Sequence, residues 1–245
     1  MKFGVISDVH GNIVALNAVL NEFERQNVEK IICCGDIIGI GPEPEKAVQR
    51  LIQIKEKLIC VRGNHEGYLL EGIPETIHDR AMTKSETAFH RWTQSVLSDS
   101  TKQFLSKLPY EIYIEEEGKK IYVSHYAYEE NKDFKRHIFL PNAEECAELF
   151  SNIDADIYLF GHTHNKVENN TNGKKYINPG SLGCPCDSKK ADCRILEINQ
   201  NEVKYEQLEV PYDVRSVINE IKEIKFPCYK MMLQDFFGEK GDILQ

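Results

Sequence analysis

The chain has no apolar run approaching transmembrane length, so no membrane-spanning helix is expected. Its N-terminal stretch, Met1 to Ile6, is apolar but soon interrupted by Asp8 and His10, too short for the core of a secretory signal. The expected location is the cytoplasm. A cationic excess is missing too: 30 Lys and Arg face 39 Asp and Glu, a formal net charge of −9. Stable binding to nucleic acid or to a membrane surface needs clustered cations, so neither partner is expected. There is no internal repeat, low-complexity segment or linker. Cys184-Pro185-Cys186 lacks the two-residue spacer of zinc and redox pairs. Without an export signal, the eight cysteines do not read as a disulfide framework. Cys33, Cys34 and Cys60 sit in apolar runs and read as small buried hydrophobes.

What is there is an ordinary globular composition over 245 residues, 41% hydrophobic and 28% charged, with enough chain for a substantial core. A single domain over residues 1–225 is expected, with residues 226–245 an unassigned tail. Lys2 to Ile6, Lys30 to Cys34 and Leu58 to Val61 are short apolar strands. Between them lie helices, one opening at Gly11-Asn12 with Ile13, Leu16, Leu20 and Phe23 on one face, the other with Pro44 in its first turn. The order β-α-β-α-β marks a parallel sheet with crossover helices, an α/β class. Residues 67–109 turn helical: Ser85 to Leu97 places Phe89, Trp92 and Val96 in register, and Ser100 to Gln103 reads as the start of another helix. This stretch is either an insertion covering a site or an ordinary helical layer.

Ile112 to Glu117 and Lys119 to Ser124 form a hairpin around Gly118. Asn142 caps a short helix, and Asp156 to Phe160 is a further buried strand. Lys174 to Ile177, Cys193 to Asn199 and Val203 to Val210 are strand-like, with Asn178-Pro179-Gly180-Ser181 as a turn and Pro211 starting a last helix.

One pattern recurs five times. An apolar strand ends, and within a few residues a side chain able to bind metal appears: Asp8 and His10, Asp36, Asn64, His125, then His162 and His164. Each alone has a plain structural reading, Asp8 as a helix cap, Asp36 and Asn64 as turn residues, His125 as a strand-end histidine. Ligands of open α/β sheets lie beyond the carboxyl ends of strands, so together the five point to one region. In Gly161-His162-Thr163-His164 the imidazoles are two residues apart, which an extended strand would aim to opposite sides, so the backbone must curl, and Gly161 permits that. Seven donors exceed one zinc and suit two metals, with the two-oxygen carboxylate of Asp36 as the candidate bridge. Two carboxylates against two divalent cations leave about two positive charges, about one once a hydroxide bridges them. Such a centre in an acidic protein suits a phosphate. Imidazole-rich ligation favours Mn, Fe, Zn, Ni or Co over Mg.

Asp8-Val9-His10, Gly35-Asp36, Gly63-Asn64-His65, His125 and Gly161-His162-Thr163-His164, in this order, resemble the calcineurin-like metallophosphoesterases over roughly residues 1–210. The phrases around Asp8, Asp36 and Asn178 look like its compact bacterial members, among them phosphodiesterases and dinucleoside polyphosphate hydrolases. The resemblance implies a four-layer α/β/β/α sandwich of two mixed sheets with a helical insertion. It implies a dinuclear-metal phosphoesterase acting on phosphodiesters or nucleoside polyphosphates such as diadenosine tetraphosphate by metal-bound hydroxide attack, with manganese the first choice of metal. It assigns Asp8, His10, Asp36 and His164 to one ion and Asp36, Asn64, His125 and His162 to the other. His65 would protonate the leaving oxygen. Arg62 is similar to the arginine before Gly-Asn-His-Glu in the protein Ser/Thr phosphatases, where it grips phosphate, and equally reads as a surface arginine at a strand end. Two other readings follow from the same family: a Ser/Thr-type protein phosphatase, and a non-catalytic scaffold like the retromer subunit of this fold. The substrate expected is a small-molecule phosphate ester, and the oligomeric state is open.

Overall fold

Two five-stranded sheets pack face to face, and helices cover both outer faces. The computed structural model describes residues 1–77, 80–185, 189–200 and 202–238. Strand β1 (Lys2–Ile6) leads to α1 (Ile13–Arg25), β2 (Lys30–Cys33), α2 (Pro44–Gln53) and β3 (Leu58–Cys60). Asn12 caps α1, its side-chain oxygen accepting from the Ala15 amide at 3.0 Å. Pro44 stands in the first turn of α2, where its missing N–H costs nothing. Next come α3 (Asn64–Leu70), the two-residue strands β4 (Thr76–Ile77) and β5 (Arg80–Ala81), α4 (Lys84–Val96) and α5 (Asp99–Ser106). The hairpin β6 (Glu111–Glu116) and β7 (Lys119–Ser124) follows, then α6 (Ala143–Leu149), β8 (Ile157–Leu159), β9 (Lys166–Thr171) and β10 (Lys174–Pro179). The chain ends with β11 (Lys190–Ile198), β12 (Val203–Pro211), α7 (Val214–Ile224) and α8 (Tyr229–Phe237).

The sheet orders are β12-β11-β1-β2-β3 and β6-β7-β8-β10-β9. β1, β2 and β3 run parallel, as do β7, β8 and β10, whereas β11, β12, β6 and β9 pair antiparallel. Alternation along each strand sorts the core into layers. Val5, Ile32 and Val61 meet Val123, Leu159 and Ile177 between the sheets. Their neighbours Ile6, Cys33 and Cys60 face the other way, onto Leu16, Val19, Ala47 and Leu51 of α1 and α2. On the far side, Tyr122, Tyr158 and Tyr176 pack against Cys146 and Leu149 of α6. Each such fully buried aliphatic side chain contributes about 1.5–3 kcal/mol. The result is the expected α/β/β/α sandwich of two mixed sheets. Its parallel strands bring the carboxyl ends of β1, β2, β3, β7 and β8 to one side.

The structure moves several boundaries. α5 is capped by Ser98, whose hydroxyl accepts from the Thr101 amide at 3.3 Å, rather than starting at Ser100. Glu45 holds Ser98 in place by accepting from both its amide and its hydroxyl, at 3.0 and 2.8 Å. Val96 is exposed; α4 ends there, and Leu97 turns into extended conformation and is buried instead. Pro211 still pairs with Lys190 in the sheet, and α7 begins at Val214 under the Asp213 cap. Asn178 and Pro179 belong to β10, so the turn begins at Gly180. Cys186 lies outside the described residues. Within 226–245, the described part forms α8, which buries Met232, Leu233 and Phe237 against α7 and Phe89.

Candidate metal centre

Five short loops leave β1, β2, β3, β7 and β8 and converge. The β1 loop is tied to the β2 loop by backbone hydrogen bonds from the Asp8, His10 and Gly11 amides to Gly35, Asp36 and Ile37 carbonyls, at 3.0, 3.0 and 2.8 Å. Asp8, His10, Asp36, His162 and His164 all adopt positive φ, between 49° and 70°. Side chains of this size rarely occupy that region, and each costs about 1–3 kcal/mol unless its surroundings enforce it. Here the left-handed turns aim the side chains inward. The curl after β8 is therefore made by the two histidines and not by Gly161, whose φ is not positive. Gly161 serves a different need, because a Cβ there would lie 2.7 Å from Asp8 Oδ2.

The donors form two groups. In the first, His10 Nε2 and His164 Nε2 are 2.8 Å apart, and Asp8 Oδ1 lies 3.8 and 3.6 Å from them. Asp8 Oδ2 accepts the His162 amide at 3.1 Å, whereas Oδ1 is buried and has no hydrogen-bond partner. In the second, Asn64 Oδ1 lies 3.1 Å from His125 Nε2 and 2.9 Å from His162 Nδ1, and Asp36 Oδ2 lies 3.2 Å from His125 Nε2. The other Asp36 oxygen accepts the His65 amide at 2.9 Å. Asp36 also approaches His10 and His65, with ligand atoms of all three within 4.8 Å of one another, so it stands between the groups. His10 and His125 turn their Nδ1 atoms to the carbonyls of Ile38 and Cys34, at 3.2 and 2.7 Å. A carbonyl only accepts, so each Nδ1 donates, and in the neutral ring Nε2 then presents its lone pair.

Electrostatics tie the cluster together. Burial opposes charge on Asp36, yet the imidazoles of His125, His65 and His10 hold it well below the usual carboxylate range. Burial raises Asp8, and the Asp36 charge adds to that against His164 and His125. Burial and His164 hold His10 well below its ordinary value. Burial also works against charge on His125, but Asp36 overrides it and lifts the imidazole to about 10. A buried, unpartnered carboxylate oxygen facing two imidazole nitrogens, beside a second group of convergent N and O donors, fits divalent ions.

Of the residues expected at the site, the structure brings Asp8, His10, Asp36, Asn64, His125, His162 and His164 together, with His65 alongside. His65 rests edge-on against His10 with ring centroids 5.1 Å apart. Burial holds its pKa down, with His125 and His164 adding to the effect and Asp36 opposing it. Arg62 does not join them. Its Nε donates to Leu108 O at 2.7 Å, Nη1 to Glu71 at 3.0 Å and Nη2 to Ser106 O at 3.4 Å, and its guanidinium lies over Tyr110. The carbonyls at the end of α5 and Glu71 engage the fork here, the arrangement of an arginine at a strand end.

Two positioning residues were not foreseen. Glu66 is wholly buried, and its carboxylate accepts the amides of Asp36, Ile37, Ile38 and Gly63, at 2.9, 2.9, 3.1 and 2.7 Å. Burial and the Asp36 charge push it up to about 7 against those amides. The signal was Glu at the third helical position after Gly63, half of a capping box. Asn178 donates to Gly161 O and Thr163 Oγ1 at 2.8 and 3.2 Å, fixing the turn that carries His162 and His164. Above the cluster opens a cavity of about 340 Å³, walled by α4, the Phe139 loop and α8.

A family model described as a calcineurin-like phosphoesterase superfamily domain matches residues 1–201. An uncharacterised Methanocaldococcus jannaschii protein, MJ0912, is 30% identical over 239 residues, covering 91% of this chain and 93% of that one. The phosphodiesterase YfcE of Escherichia coli is 24% identical over 208 residues, 80% of this chain and 88% of that protein. A metallophosphoesterase crystal structure from Sphaerobacter thermophilus superposes with a TM-score of 0.72 at 24% identity, covering 97% of this chain and 99% of that one. Strand-end donors and a two-sheet sandwich define a metal-dependent phosphoesterase. The chain belongs to the calcineurin-like phosphoesterase superfamily.

Proposed function

We propose that this chain hydrolyses small-molecule phosphate esters in the cytoplasm, phosphodiesters or nucleoside polyphosphates such as diadenosine tetraphosphate, using two divalent ions, manganese first. One observation carries this reading: two donor groups, with Asp36 between them, lie on the floor of one cavity. Asp8, His10, Asp36 and His164 would hold the first ion, and Asp36, Asn64, His125 and His162 the second. When bound, the ions supply Lewis-acid stabilisation of the phosphoryl oxygens and activate water.

The chain's own groups do the rest. The carbonyls of Ile38 and Cys34 fix the tautomers of His10 and His125, so no ring has to reorient when a ligand arrives. Glu66 and Asn178 hold the strained loops in their aimed conformation. His65 lines the cavity beside the cluster. Its backbone amide donates to Asp36, which fixes this segment beside the cluster, and the ring is the group that would protonate the leaving oxygen. The Arg62-Gly63-Asn64-His65-Glu66 phrase that suggested a protein phosphatase loses its distinguishing element, since Arg62 is held by Leu108, Ser106 and Glu71.

Manganese-loaded protein is expected to hydrolyse bis(p-nitrophenyl) phosphate, and Asp36→Ala and His162→Ala to abolish the activity. His65→Ala is expected to keep its metal and to slow alkyl esters by about 10²–10⁴-fold. It should slow nitrophenyl esters less, because nitrophenolate leaves without a proton. Wild-type rates in the Asp36 or His162 variants would refute the site.

A further inference from the structure

The metal-side cluster forms only the floor of the cavity. Its walls come from elements outside the five strand ends. Met231, Met232 and Phe236 descend from α8, Phe89 from α4, Ile77 from β4, and Phe139 from the loop before α6. Phe236 faces His164 with ring centroids 5.9 Å apart, and Phe139 stands against His137 at 4.5 Å. The matched family domain ends at residue 201, so α8 lies outside it. The C-terminal helix thus adds an apolar wall over the catalytic floor.

Charge on the walls is as informative. Among the described lining residues, Arg80 is the single Lys or Arg, and its two terminal nitrogens donate to Glu86 at 3.0 and 2.6 Å. Glu86 and Asp235 bring carboxylates to the same cavity. Any phosphate beyond the one on the floor would meet a mutually neutralised Arg80–Glu86 pair and the Asp235 carboxylate. A polyanion gains no cationic partner from these walls, whereas a flat apolar group covers Phe and Met side chains and is taken out of water.

We infer that α8, α4 and the Phe139 loop form a subsite for a flat aromatic substituent of a phosphate ester that carries a single phosphate. This rests on the phosphoesterase reading above and narrows it: phosphodiesters with an aromatic group are substrates, and nucleoside polyphosphates are not. A pocket of this size and lining holds one ring system against the walls while the phosphate sits on the floor.

The subsite is tested by binding, apart from turnover. Manganese-loaded full-length protein is titrated calorimetrically with phenylphosphonate and with methylphosphonate, which differ only in the apolar group. The phenyl compound is expected to bind at least tenfold more tightly, and Phe236→Ala is expected to bring the ratio close to one. Met231→Ala, at an exposed position of α8 that still lines the cavity, is a second variant should the first unfold, with a smaller loss in the same direction. In parallel, kcat/KM of wild type for p-nitrophenyl phenyl phosphate is expected to exceed that for diadenosine tetraphosphate by at least a hundredfold. Equal binding of the two phosphonates, or a ratio untouched by both variants, overturns the subsite. Comparable turnover of the two substrates overturns the exclusion of polyphosphates. Absence of all ester turnover, with the phosphonate ratio intact, would strike the phosphoesterase reading and leave the subsite standing.

Discussion

At the residue scale, the site depends on side chains whose ionisation is set by burial. His90, on α4 beside His65, shows the consequence most simply, with ring centroids 5.3 Å apart. Burial and His65 depress its pKa to about 3, against Glu86 and Asp36. In the unfolded chain a histidine titrates near 6.5. The unfolded state therefore binds the extra proton first on acidification. The associated stability is fully present above pH 6.5 and is lost as pH falls toward 3. Between pH 7.5 and 5, His90 should account for about 2 kcal/mol of lost stability. Urea unfolding at both values should show a drop in wild type, with His10 and His65 adding to it, and a drop smaller by about 2 kcal/mol in His90→Phe. Equal pH dependence in the two proteins would show that His90 is not held neutral. Single residues also mark what the sequence left hidden. Arg62 belongs to a recognisable phrase, but its direction depends on where the carbonyls of Ser106 and Leu108 fall, and nothing local encodes that.

At the scale of elements, each candidate ligand is legible because a buried parallel strand is a short apolar run, and the polar residue after it has left the sheet. β1, β2, β3, β7 and β8 are read this way, and with them all seven donors. Of the elements that escape, two show the physical reason. β9 reads Lys-Val-Glu-Asn-Asn-Thr, a sheet-edge strand with only Val167 buried, so it has no apolar run. α8 has no side-chain cap and starts from Cys228 in left-handed conformation, so its start carries no sequence signal. Glu66 joins two loops that are separate in sequence, since one carboxylate accepts amides from the β2 loop and from Gly63 before α3. Removing it leaves four buried donors without an acceptor. Glu66→Ala is expected to destabilise the metal-free protein by at least about 3 kcal/mol, and Glu66→Gln, which keeps one acceptor oxygen, by less. Urea unfolding measures this; a loss below about 1 kcal/mol for Glu66→Ala would mean the loops hold their strained turns without it.

At the scale of the whole molecule, the fold divides labour between two sheets. One contributes Asp8, His10, Asp36 and Asn64, the other His125, His162 and His164, and the core between them fixes the distance across the site. The insertion and α8 then roof the floor and bring the apolar walls. No helix among the described residues is long and apolar enough to cross a membrane. The central claim is that the two donor groups are two ion sites. It is tested most directly by counting manganese bound per chain at equilibrium, using the electron paramagnetic resonance signal of the free ion. Wild type should bind two ions, and His164→Ala, which removes a donor from the first group only, should retain one at concentrations that saturate wild type. A single ion in wild type, or two still bound tightly in both His164→Ala and His162→Ala, would contradict it.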